Sequence, residues 1–231
     1  MRRLRRRVAA AFTTAIAASA ALVVSPAAHA WGEYPVATPG AFLVSTALAS
    51  NGMPYQCTLG FVVRKPNGNP GALTAGHCRR DPNDNTVLQQ TPHGVQHVGH
   101  YTRWEVQRGV RDIGLVDLAA STVTVVPHMD GLPVTHALSA AQLREYNPVL
   151  CKSGARTGLS CGNITNISDT TLSFRAWDDM GDSGSPVYAI FDNGTVSAAG
   201  ILFGHSDDAQ GRIIHATLVE PVLRNWGLAL W

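Results

Sequence analysis

The sequence predicts an all-β fold, and three observations carry that prediction. Apolar runs are short and alternate with polar residues. Turn formers are dense between them, with 22 Gly and 13 Pro in 231 residues. Helix signals occur in only two places. Many short strands with sparse helix read as barrels or a sandwich.

The elements follow in order. Arg2, Arg3, Arg5, Arg6 and Arg7 form a basic start, and an apolar stretch runs from Val8 to Val24. Ala28-His29-Ala30 then has the small-x-small pattern of a signal-peptidase site. The apolar stretch is interrupted by Thr13, Thr14 and Ser19 and is short for a membrane span. Residues 1–30 are therefore expected to be an export signal cut after Ala30, leaving no stable membrane anchor. The segment holds five arginines and no acids. The remaining 201 residues carry 13 basic and 16 acidic side chains, net −3. The basic character of the whole chain belongs to the export signal, so it gives no argument for nucleic acid or anionic membranes. Four cysteines in an exported chain suggest two disulfides, with three possible pairings. Pairing near neighbours selects Cys57 with Cys78 and Cys151 with Cys161. No C-x-x-C pair argues for zinc or redox chemistry.

Thr58–Arg64 reads as a strand, Lys65–Gly71 as a turn-rich loop, and Gly71–Ala75 as the returning strand that ends at His77. Asp112–Leu118 alternates apolar positions, as a half-buried strand does. Thr170–Arg175, Ser185–Phe191, Val196–Phe203 and Gly211–Ala216 are further strands. Ser139-Ala140-Ala141-Gln142 fits a capping box ahead of Leu143. A second helix is expected near Pro221, carrying Val222, Leu223 and Trp226, with Gly227 weakening its end.

Two strings carry chemistry: Thr74-Ala75-Gly76-His77-Cys78 and Gly181-Asp182-Ser183-Gly184-Ser185-Pro186. Nucleophilic acyl transfer needs a hydroxyl, a base to take its proton, and backbone N–H groups facing an oxyanion. Glycines on both sides of Ser183 allow the tight turn and close backbone approach that an oxyanion hole requires. An acid between the two strings completes the set. Asp112, which opens an apolar strand, and Asp117, five residues on, both compete for that place; the resemblance given below favours Asp112. Singly, each string has an ordinary structural reading; jointly and in this order they favour catalysis. His93, His97 and His100 do not share one strand face and match no familiar zinc pattern, so no metal is expected there. No cofactor is implied. Sequons at Asn163, Asn166 and Asn193 matter only in a glycosylating host.

The order His77, Asp112, Ser183 with these strings resembles the chymotrypsin-like serine peptidases of the trypsin superfamily. Cys57-Thr58-Leu59-Gly60-Phe61-Val62-Val63 and the segment from Val149 through Cys161-Gly162 are similar to the bacterial secreted branch, the streptogrisins and alpha-lytic protease. The Gly-Asp-Ser-Gly-Ser-Pro turn is also similar to that of the glutamyl endopeptidases. The resemblance implies two antiparallel Greek-key β-barrels with a short C-terminal helix. The first would span 31–125 with His77 and Asp112, a connection 126–148, and the second 149–231 with Ser183 and the helix. It implies a secreted, bacterial, monomeric endopeptidase acting on protein or peptide substrates. Ser183 would be the nucleophile, His77 the base, Asp112 its orienter, and the N–H groups of Gly181 and Ser183 the oxyanion hole. Lys152 stands where that branch has an arginine pairing with the aspartate before the serine, so a Lys152–Asp182 pair is expected to support the turn.

The resemblance further implies that Gly200–His205 pairs with an extended substrate, a form of strand addition. Phe203, Gly204, His205, Trp177 and Met180 are the substrate-binding candidates. Several positions depart from the pattern. Ser185 replaces a frequent glycine. Phe203 replaces a frequent serine whose hydroxyl supports the triad acid. Leu202 stands where glutamate-specific relatives carry histidine. Trp177 stands where trypsin-like enzymes carry the pocket aspartate, with Asp178 and Asp179 out of register. A second class of reading follows from these departures, a weak or inactive relative serving as a binding module. An esterase is a minor third.

Overall fold

The computed structural model describes residues 36–49, 51–91, 94–191 and 194–231. The expected export signal, His93 and the Asn193 sequon lie outside the described residues. The first half contains β1 (Val36–Ala37), β2 (Phe42–Leu48), β3 (Pro54–Thr58), β4 (Val62–Arg64) and β5 (Pro70–Thr74). A 3-10 turn, Gly76–Cys78, follows, then β6 (Thr86–Thr91), β7 (Gly94–Gln107), β8 (Arg111–Asp117) and β9 (Thr124–Val125). The second half contains β10 (Val134–Ala137), α1 (Ala140–Tyr146), β11 (Leu150–Gly154), β12 (Gly158–Gly162), β13 (Ile164–Ile167) and β14 (Thr171–Arg175). It closes with β15 (Pro186–Ile190), β16 (Val196–Asp208), β17 (Gly211–Leu218), α2 (Val219–Trp226) and β18 (Ala229–Leu230).

The strands form two curled sheets. The first runs β18-β4-β5-β8-β7-β6-β2-β3 and the second β12-β11-β15-β16-β17-β14-β13, with β10 parallel to the start of β16. The other pairings within both sheets are antiparallel; β1 and β9 form a separate parallel ribbon. Each sheet has its own apolar filling: Leu59, Val62, Ala72 and Val116 in the first, Leu150, Phe174, Leu202 and Ile214 in the second. A third cluster joins them, with Phe61, Leu73 and Ile113 from one side and Tyr188 and Ile201 from the other. The site occupies this seam. Among the described residues no helix is long and apolar enough to cross a membrane.

Two helices appear where the chain signals them. Ser139 caps α1, accepting from the Gln142 amide, and the Gln142 side chain accepts from the Ser139 amide. In α2, Val219, Val222 and Trp226 are buried against the joining cluster. Gly227 ends the helix in the left-handed conformation, with φ of 65°. Pro221 falls in the first turn of α2, as its third residue. The chain then returns to the first sheet, where Ala229–Leu230 pairs with Val63–Arg64.

The expected strand Thr58–Arg64 divides into β3 and β4, and the reason is local. Gly60 sits against the backbone oxygens of Leu73 and Gly184 too closely for any Cβ. There the chain stops pairing with β2 and begins pairing with β5.

Candidate active site

His77 lies three residues beyond the end of β5, and Asp112 is the second residue of β8. These strands are antiparallel neighbours, with Thr74 opposite Gly114, so the chain just beyond the end of β5 runs beside the start of β8. Asp112 Oδ1 accepts the His77 backbone N–H at 3.0 Å, and its Oδ2 lies 2.8 Å from His77 Nδ1. Donation from Nδ1 to the carboxylate leaves Nε2 free to accept a proton. Asp112 is itself clamped by the other sheet. Its amide donates to Thr217 Oγ1 at 3.0 Å, and that hydroxyl donates back to the Asp112 carbonyl at 2.9 Å. The competing acid, Asp117, is engaged elsewhere, 2.5 Å from Lys65 Nζ. Burial pushes the Asp117 carboxyl up, but Lys65 and the Ala119 amide outweigh it and hold it below its ordinary value.

Cys57 and Cys78 form a disulfide, which joins β3 to the 3-10 turn that carries His77. Both sulfurs lie within 4.8 Å of a His77 ring nitrogen. The second disulfide, Cys151–Cys161, crosses the β11–β12 hairpin between directly opposed residues.

Ser183 occupies a turn held on every side. Asp182 N–H donates to Asp179 O at 3.0 Å, and Ser185 N–H to Asp182 O at 2.9 Å. Gly184 N–H donates to Leu202 O at 2.7 Å, and Thr58 N–H to Ser183 O at 2.7 Å. The Ser185 hydroxyl, which replaces a frequent glycine, is buried and bonded to the Asp182 carbonyl. Gly181 and Gly184 have φ of +107° and +94°, the region that favours glycine. A Cβ on Gly184 would collide with Thr58 O and Thr74 Oγ1. Gly181, Asp182, Gly184 and Ser185 are buried, whereas Ser183 is partly exposed. Among the described residues the Gly181 and Ser183 amides donate to no protein acceptor. Nor does a hydrogen bond join Ser183 Oγ to the His77 ring; in substrate-free acyl-transfer sites that contact is commonly long.

Beneath the turn lies a buried ion pair. Lys152 Nζ is 2.8 Å from Asp182 Oδ2, and both side chains are fully buried. Lys152 also reaches Thr157 Oγ1. Asp182 Oδ1 accepts from the amides of Arg156 at 2.9 Å and Thr157 at 3.1 Å, and Oδ2 accepts from the Asp179 amide at 3.2 Å. Burial alone would raise the Asp182 carboxyl; Lys152, Thr157 and the Arg156 amide reverse this and hold it below its ordinary value. A Cβ on Gly154 would strike this carboxylate, so glycine is required there.

The remaining candidates fall on the segment before the Ser183 turn and on β16. There β16 pairs with β15 only as far as Ile201, leaving the edge from Phe203 onward without a strand partner among the described residues. Gly204 and His205 lie on this edge. Phe203 is partly buried against the first sheet's filling and stacks on His215. Asp112 therefore has His77, and no hydroxyl from position 203, at its carboxylate. Met180 is 86% exposed beside Gly181. Trp177 is 59% exposed, with Arg212 over its ring, whereas Asp178 is 2% exposed and points inward to His205 and Arg212. The inward residue of this segment is thus Asp178, one place beyond the expected one. Thr217, Arg212 and His215 lie on β17 and are absent from the sequence reading. Register between β16 and β17 brings them in, and no local motif announces that.

A His–Asp pair from one curled antiparallel sheet, facing a glycine-bracketed serine turn from a second, places the chain in the chymotrypsin-like class of folds. Comparison with solved structures sets the likeness on the bacterial secreted branch of the trypsin superfamily. Thermobifida fusca protease A is 27% identical, with a TM-score of 0.60 over 85% of this chain and 98% of its own. Nocardiopsis protease is 24% identical, with a TM-score of 0.61 over 85% and 99%. Among curated proteins, the uncharacterized protein Rv1815 of Mycobacterium tuberculosis H37Rv is 27% identical over 167 residues, 64% of this chain and 67% of that protein. No protein-family model matches.

Proposed function

We propose that the chain is a secreted serine endopeptidase acting through His77, Asp112 and Ser183. The observation that carries this reading is the Asp112 carboxylate, which meets both the backbone N–H and Nδ1 of His77 beside the Ser183 turn. Ser183 Oγ attacks the peptide carbonyl while His77 Nε2 takes its proton. Asp112 keeps the imidazole in the required tautomer and stabilises the imidazolium. The carbonyl oxygen becomes an oxyanion facing the Gly181 and Ser183 amides. His77 then protonates the leaving amine, and water hydrolyses the acyl-enzyme by the same steps in reverse. The substrate's acyl side lies along the open edge of β16 at Phe203–His205. The two disulfides and the likeness to bacterial secreted proteases support an extracellular setting.

A fluorophosphonate that labels active serines tests the reading. Wild type should be labelled stoichiometrically, and Ser183→Ala and His77→Ala should not be. Equal labelling of wild type and Ser183→Ala would overturn it. One observation favours a second reading, a peptidase-like binding module: Phe203 supplies no hydroxyl to Asp112. A folded wild type that the probe never labels would select that reading.

A further inference from the structure

Asp178 lies five residues before Ser183, on the segment leading into its turn, and its carboxylate is buried. Its neighbours come from two strands. His205 Nδ1, on the open edge of β16, is 3.0 Å from Oδ1. Arg212 Nη1, on β17, donates to the Asp178 carbonyl at 2.7 Å and lies 3.4 Å from Oδ1. The same guanidinium is anchored from outside by Asp207 at 3.0 Å and lies over Trp177. Behind His205, His215 lies between the hydroxyls of Ser173 and Ser206, each 2.9 Å away. Burial and the neighbouring His205 lower the His215 pKa, although Asp178 opposes them.

A buried carboxylate beside the open strand edge is a receptor for a cationic side chain. Here that receptor is already filled by the chain's own guanidinium. A lysine or arginine from a substrate would have to displace Arg212, which Asp207 and the Asp178 carbonyl also hold. Displacement would leave Arg212 to be resolvated and its bonds unmade. Acidic side chains fare no better, because they would meet the Asp178 and Asp207 carboxylates that flank Arg212.

We propose that Arg212, with His205, masks Asp178, so that the site accepts an uncharged residue at the cleaved carbonyl and refuses a cationic one. Arg212 is on this view a specificity-determining residue, and the proposal rests on the endopeptidase reading above. Removing Arg212 exposes Asp178 and recruits cationic substrates.

The test uses peptide anilides that differ only in the residue at the scissile carbonyl: Ala, Leu, Glu or Arg. Wild type should favour Ala or Leu over Arg at least tenfold in kcat/KM. The Arg-to-Ala ratio should rise at least tenfold in Arg212→Ser and, as a second variant against misfolding, in Arg212→Gln. Adding Asp178→Asn to either should remove the gain. A wild-type preference for Arg would overturn the proposal. So would an unchanged ratio in Arg212 variants that still react with the phosphonate. A binding measurement separates this from the catalytic reading. In the Ser183→Ala background, benzamidine should bind at least tenfold more tightly after Arg212→Ser. Equal affinities would overturn the mask even in an active enzyme. Absent phosphonate labelling of wild type would sink the endopeptidase reading alone, and benzamidine would still decide the mask.

Discussion

The two halves of the site are held by different physics. His77 and Asp112 sit near the surface of the seam, with side chains 22% and 13% exposed. They are positioned by direct hydrogen bonds to one another, by Thr217, and by the Cys57–Cys78 link. The Ser183 turn instead rests on a fully buried Lys152–Asp182 pair and a ring of backbone amides. A mutation in the first half should remove chemistry and leave the fold. A mutation in the second should damage the turn and the fold together, because an unpaired buried charge remains.

The largest effect expected is on rate alone. Asp112→Asn keeps the shape but favours the wrong imidazole tautomer, a change costing about 10⁴-fold in the serine-protease template. Turnover of a neutral peptide should fall by that order while the thermal midpoint stays near wild type. Asp117→Asn, which loosens only the contact to Lys65, should leave turnover close to wild type. The reverse pattern would move the orienting role to Asp117.

Lys152→Met is the counterpart in the second half. Breaking a buried pair costs about 3–5 kcal/mol. Loss of one oxyanion donor costs about 10²–10³ in rate. Denaturant unfolding should show the first, and kcat of the folded fraction should approach the second. A variant with wild-type stability and turnover would show that the pair does not organise the turn.

The sequence carried more of the first half than of its surroundings. His77 is marked by a short string, as is Ser183 in the other half, because turn chemistry is local; Asp112 is preferred over Asp117 through the family resemblance. The Lys152–Asp182 contact follows from resemblance of the β11 hairpin, not from any spacing. Asp178, His205 and Arg212 meet only through the β16–β17 register, which shifts at a bulge between Leu202 and Gly204. A pattern of residues along one strand does not encode that shift. The long β6–β7 hairpin also escaped the sequence reading. Val95, Trp104 and Val106 are apolar yet exposed, so no clean alternation of apolar and polar positions marks its full length. Gly60 hid the division between β3 and β4, because its need for close backbone approach depends on partners far along the chain.

The disulfides sharpen the same contrast at smaller magnitude. Cys57–Cys78 closes a loop of 21 residues and Cys151–Cys161 one of 10. In the chain-entropy model each stabilises by about 3 kcal/mol, slightly more for the longer loop. Removing the first pair by Cys57→Ala with Cys78→Ala should also slow phosphonate labelling, since the link borders His77. Removing the second by Cys151→Ala with Cys161→Ala should lower stability with less effect on labelling rate. Non-reducing peptide mapping of the wild type should yield these two links and no Cys57–Cys151 link.

The smallest effect is in acid. The folded Asp182 carboxyl titrates below its ordinary value, 3.8, because Lys152, Thr157 and backbone amides overcome its burial. A carboxyl with a depressed folded pKa contributes stability that is present above its unfolded pKa. That contribution is lost as pH falls through the lower folded value. Wild type should therefore lose stability below about pH 4, with a slope from this group of at most about 1.4 kcal/mol per pH unit. In Lys152→Met the main partner is gone, and burial pushes the carboxyl up instead. The stability gap between wild type and Lys152→Met should then be full near neutrality, begin to shrink above pH 4 as the variant's raised carboxyl takes its proton, and go on shrinking toward pH 2. Denaturant melts of both proteins across that range measure the gap directly. A gap independent of pH would mean that Lys152 acts through packing of its stem rather than through its charge on Asp182.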